Sequence, residues 1–89
     1  MNAIITVVGA DKVGIIAKVS AFLAERSINI EDISQTILNG NFVMMMVVNL
    51  TSCKNKHEQI KQELQSLGET LNVSISMMHE KVFQSMHRI

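Results

Sequence analysis

The chain has 89 residues, with eight Lys and Arg against eight Asp and Glu, one cysteine, and no proline, tryptophan or tyrosine. This length suits one small domain burying about 60–65% of its unfolded surface, and a net charge of zero removes the overall attraction that drives binding to nucleic acid or to anionic membranes. Cys53 alone excludes an internal disulfide, the longest apolar run (residues 42–48) is too short to span a bilayer, and the start of the chain lacks the regions of a signal peptide, so a cytoplasmic protein is expected.

Residues 3–8 are rich in Ile and Val and have the length of a buried strand. After the turn from Gly9 to Ile15 the apolar period changes. Val13, Ile16, Ala17, Ser20, Leu23 and Ala24 recur at helical spacing, predicting a helix over residues 12–26 with Asp11 as its cap. The turn therefore carries a strand end into a helix N-terminus, where free N–H groups and the positive dipole end favour an anion. Gly14 places no Cβ in the way of a ligand. An alternative is that Gly9 and Gly14 serve only turn geometry and close packing, with Asp11 an ordinary cap that competes with a ligand carboxylate for the same N–H groups. A phosphate loop is excluded, because Ile15 and Ile16 stand where Lys and Ser or Thr are needed, and the dinucleotide glycine pattern is absent.

On the first helix, Lys18, Ala21 and Glu25 form a solvated face. Ile15, Val19 and Phe22 form a second apolar stripe beside the core stripe, read as an interface with another subunit; the alternative is that Phe22 fills a gap within the chain. In the second strand the apolar positions switch parity, from Ile28 and Ile30 to Ile33 and Ile37. This predicts a bulge or bend at Glu31 and Asp32, or else a plain loop entering the strand. Asn39 and Gly40 signal a tight hairpin that sets Ile37 opposite Phe42, Gln35 opposite Met44 and Ile33 opposite Met46 on the helix-covered face. Val43, Met45 and Val47 then face the other way, and the consecutive methionines read as core filling rather than a soft-metal site.

A second helix is expected over residues 55–67, with Asn55 and Glu58 as a capping box, Ile60, Leu64 and Leu67 as its apolar stripe and Gly68 as its stop. Cys53 and His57 have a spacing suited to two metal ligands but lack partners, so no metal and no cofactor is assigned. Leu71, Val73, Ile75 and Met77 alternate with Asn72, Ser74 and Ser76 in a last strand. Val82, Phe83, Met86 and Ile89 then return to helical spacing, predicting a short amphipathic helix docked on the domain or on a partner. His79 and His87 bracket it in surface or capping roles.

Strand, helix, hairpin, helix and strand make an α+β chain: a ferredoxin-like βαββαβ two-layer sandwich with an antiparallel sheet and a short C-terminal helix. Both long helices lie on one face, and the first and last strands are expected at or near the centre. The expected division is a domain over residues 1–79 and an amphipathic tail over residues 80–89. The run from Gly9 to Ile16, continued by Ala17, Lys18, Val19 and Ser20 and then by Leu23, Ala24, Ile28, Asn29 and Ile30, resembles an ACT domain, the small-molecule-sensing module of amino-acid metabolism. The chain is most similar to small stand-alone bacterial members related to the glycine cleavage system repressor. The resemblance implies paired domains with an amino acid held between Asp11, Lys12, Val13, Gly14 and Ile15 of one chain and Asn29 and Ile30 of its partner. Helix N–H groups would hold the ligand carboxylate, and Asp11 or Asn29 its ammonium.

No residue set has the make-up of a catalytic site. The expected function is an amino-acid-binding regulatory homodimer that acts on another protein in trans, and the alternative is a structural dimerisation module without a ligand. RNA binding on the sheet wants stacking aromatics and a basic surface, and a small phosphatase of this fold wants an arginine in the first turn; neither pattern is present.

Overall fold

The hydrophobic period of the chain changes five times between 2 and 3.6, and each change is a boundary in the fold. The computed structural model describes residues 2–10 and 14–86. They form β1 (Asn2–Gly9), α1 (Ile15–Glu25), β2 (Asn29–Leu38), β3 (Asn41–Asn49), α2 (His57–Leu71), β4 (Ser74–His79) and α3 (Glu80–Met86). The sheet order is β2-β3-β1-β4, with every neighbouring pair antiparallel. This is the expected ferredoxin-like arrangement with one correction: β4 lies at an edge, and β3 takes the central place beside β1. The reason is in the side chains. β3 is apolar on both faces, whereas β4 carries Ser74 and Ser76 on one of its faces and loses little by leaving that face wet.

The hairpin has the expected register, with Ile37 opposite Phe42, Gln35 opposite Met44 and Ile33 opposite Met46. Asn39 and Gly40 turn it at φ of 54° and 81°. The register shift between Ile30 and Asp32 is the expected bulge, with Glu31 as the extra residue. It lets Ile30 pack against the core while Asp32, opposite Val47, faces the other side of the sheet.

Ala3, Ile5, Val7, Met44, Met46, Ile75 and Met77 line the sheet face covered by α1 and α2 and pack with Val19, Leu23, Ile60 and Leu64. The stripe of α1 that meets this core is Ile15, Val19, Phe22 and Leu23, while Ala17 and Ala24 are exposed. The assignment of Ile15, Val19 and Phe22 to a subunit interface is therefore corrected: their side chains are 3%, 0% and 8% exposed within one chain. Burial scales with apolar area, and this stripe holds bulkier side chains than Ala17, Ser20 and Ala24.

Two expected boundaries also move. α2 runs through Gly68 rather than stopping there, and ends at Asn72, which takes the left-handed conformation at φ 59°. Gly68 instead permits close approach, because a Cβ there would lie 2.8 Å from the carbonyl oxygen of Val73. At the other end, Lys56 occupies the cap position without a side-chain hydrogen bond, so the Asn55–Glu58 capping box does not form. Asn55 Oδ1 accepts from Cys53 Sγ at 3.8 Å. Leu71 belongs to α2 rather than to the last strand.

Candidate functional site

β1 ends with Gly9 opposite Phe42, and α1 begins at Ile15 with Gly14 as its cap, at φ 75° and ψ −9°. The helix thus starts three residues later than its periodicity suggests, and Asp11 is not at the cap position. Asp11, Lys12 and Val13 lie outside the described residues. Gly14 is exposed, its carbonyl accepts from the Lys18 N–H at 3.0 Å, and a Cβ added to it would meet nothing within 4 Å. A glycine cap carries no side chain to accept from the first-turn N–H groups, and that turn holds no acidic residue. Among the described residues no side chain caps the positive end of α1, an arrangement that favours a carboxylate. Ile15 contributes its backbone there, since its side chain is buried.

Asn29 and Ile30 lie at the far end of the sheet. Ile30 pairs with Val48, which pairs with Ala3; Gly9 is six strand residues further along β1, or about 20 Å. Asn29 is exposed and Ile30 half-buried. One chain does not bring these two groups of residues together.

The remaining candidates are dispersed. Among the described residues no group of three His, Cys, Asp or Glu side chains is placed to hold a metal, and Cys53 and His57 stand at the loop and start of α2. His79 Nδ1 accepts from the Lys81 N–H at 3.0 Å and so caps α3, while His87 lies outside the described residues. No helix among the described residues is long and apolar enough to cross a membrane.

Two features escape the sequence reading. Arg26 donates through Nε to Glu63 Oε1 and through Nη1 to the carbonyl of Phe22, both at 3.0 Å, tying the end of α1 to α2. The i, i+4 spacing of Phe22 and Arg26 was the available signal. The second is a cavity on the sheet face away from α1 and α2, lined by Ile4, Asp32, Ser34, Met45, Val47 and Phe83. It draws on four elements, and no local pattern in the sequence announces it.

The fold recurs in known proteins. A family profile described as the ACT domain matches residues 2–78. A UPF0237 protein of Methanopyrus kandleri is 46% identical over 88 residues, which span 99% of this chain and 98% of that protein. Among solved structures, an ACT domain protein from Streptococcus pneumoniae is 46% identical, with a TM-score of 0.84 and 94% of each chain covered. A protein described as a glycine cleavage system transcriptional repressor shares the fold at 24% identity and a TM-score of 0.77, over 85% of this chain and 44% of that one. Relatives occur in archaea as well as bacteria. ACT domains are generally regulatory modules for small molecules, often amino acids. With 77 of its residues inside that profile and a full-length relative of known structure, the chain belongs to the ACT domain family.

Proposed function

We propose that the protein is a regulatory homodimer that binds an amino acid where two copies meet and acts in the cytoplasm on another protein, without catalysing a reaction. The observation that carries this reading is the start of α1, where exposed Gly14 caps the helix and, among the described residues, no side chain accepts from its first N–H groups. Asp11, Lys12, Val13, Gly14 and Ile15 of one copy are assigned to the ligand carboxylate and its surroundings, and Asn29 and Ile30 of the other to its ammonium and side chain.

The second copy is needed because Asn29 and Ile30 are about 20 Å from the turn in their own chain. β2 supplies a route. It is an edge strand, exposed at every residue except Ile30, with Ile33, Ile37 and Leu38 exposing 38%, 64% and 67% of their surface. A twofold axis that pairs β2 with its own copy runs the strands antiparallel, so the Leu38 end of one lies beside the Asn29 end of the other. Such pairing covers the exposed edge and moves Asn29 and Ile30 of one copy towards the turn of the other.

The test is thermal unfolding of the protein against a panel of common amino acids, beside a Gly14→Val variant, with the mass in solution measured by sedimentation. A ligand at a hundred times its Kd stabilises the folded state by about 2.7 kcal/mol and raises Tm by roughly ten degrees or more. A rise with one or two amino acids in a dimer, lost in the variant, supports the reading. A dimer that responds to none of them is instead a structural dimerisation module, and a monomer overturns both.

A further inference from the structure

The open face of the sheet carries a second recessed site. Two rows run across it, Ile4–Val47–Asp32 and Thr6–Met45–Ser34. α3 contacts β1 and β4, and its Phe83 adds a wall to a cavity of about 190 Å³ whose other lining residues include Ile4, Met45, Val47, Asp32 and Ser34. Apolar cavities of about 150 Å³ hold a molecule the size of benzene, so the space suits one small apolar body.

The chemistry at its rim is one-sided. The hairpin register sets Asp32 opposite Val47 on this face, and the bulge at Glu31 lets Ile30, two residues earlier, keep to the helix side. Its Oδ1 accepts from the Ile33 N–H at 2.9 Å, an anchor that holds the carboxylate beside the recess and leaves Oδ2 for another donor. Ser34 supplies a hydroxyl in the next row, and among the described residues the lining contains no Lys, Arg or His.

We infer that this cavity is a binding site for a small primary amine with an apolar body, its ammonium on Asp32 and its body among Ile4, Met45, Val47 and Phe83. A free carboxylate on the ligand meets no cation among the described residues and stands near Asp32, so a zwitterionic amino acid is disfavoured. The site lies on the opposite side of the sheet from α1 and does not depend on the reading of the helix N-terminus.

The test uses the whole chain with methyl-labelled methionines and three probes of one shape: benzylammonium, benzyl alcohol and benzoate. Met45 lies in the cavity, while Met44 and Met46, its neighbours in β3, face the helices and serve as internal controls. Benzylammonium is expected to shift the Met45 methyl signal saturably while the other two stay still. Benzyl alcohol should bind about tenfold more weakly and benzoate not measurably, and Asp32→Asn should reduce the amine to the level of the alcohol. Val47→Phe, which fills the cavity, should abolish binding of both, with unchanged Met44 and Met46 signals reporting an intact fold. Equal shifts from all three probes, or no shift of Met45 at tens of millimolar amine, would overturn the inference. So would a Met45 shielded from solvent by a second copy of the chain.

Discussion

The guanidinium carbon of Arg26 lies 3.5 Å from the centre of the Phe22 ring, one helical turn earlier on α1. The same side chain bonds the Phe22 carbonyl and Glu63, so one residue stacks on an aromatic ring, satisfies the end of a helix and spans to α2. Arg26→Ala is expected to lower unfolding free energy by about 1–2 kcal/mol, through the lost stacking and hydrogen bonds. Glu63→Gln should cost less than about 1 kcal/mol, because its carboxylate is more than a third exposed and screened. Urea unfolding of both variants checks this, and a Glu63→Gln loss equal to that of Arg26→Ala contradicts it.

Gly68 and Gly14 should answer a methyl group differently. At Gly68 the added carbon is driven to 2.8 Å from backbone oxygen, so Gly68→Ala is expected to destabilise by about 1–3 kcal/mol despite alanine's better helix propensity. At Gly14 the space is open but φ is +75°, and Gly14→Ala should cost about 1–2 kcal/mol, from left-handed backbone strain. Hydrogen exchange separates the two: β4 and the end of α2 loosen in the first variant, and only the start of α1 in the second.

Ile15 has its side chain in the core of a single chain. Ile15→Ala is expected to cost about 2–5 kcal/mol, and the loss should be the same at low and high protein concentration. A loss that grows on dilution would return Ile15 to a subunit interface.

The bulge is a register device. Deleting Glu31 makes Ile30 and Asp32 consecutive, so the ladder closes with Ile30 still opposite Val48 and Asp32 still opposite Val47. The deletion is expected to leave stability within about 1 kcal/mol of the parent, because both side chains keep their faces. Unfolding midpoints measure it, and a loss of about 1.5–3 kcal/mol, the scale of burying one large aliphatic side chain, would show that Ile30 leaves the core without the bulge.

The sequence was sufficient wherever a local rule sufficed. Asn39 and Gly40 set the hairpin and its register, since a two-residue turn of that type admits one pairing. The switch from Ile30 to Ile33 pointed to a bulge or a loop entry, because an unbroken period of two cannot keep both on one face, and the strand pairing on both sides of Glu31 decides for the bulge. The start of α1, by contrast, lies later than its pattern: Val13 and Ile16 extend a helical spacing, but that spacing does not reveal that Gly14 takes the left-handed conformation and caps the helix. Gly68 looks like a stop in the sequence for the same reason, since only the approach of Val73 and Ile75 explains a glycine inside a helix.

By itself, then, the sequence determined the element order and the hairpin register and narrowed residues 31–32 to a bulge or a loop entry, all of which follow from contacts between near neighbours or from side-chain period. Only the tertiary structure decided which stripe of α1 is buried, that β4 is an edge, and that Asn29 and Ile30 lie at the opposite end of the sheet from Gly14. It also decided that Asp32, Met45 and Phe83 share one cavity. These depend on how much apolar area each face buries against elements distant in the chain, a comparison that no single segment contains.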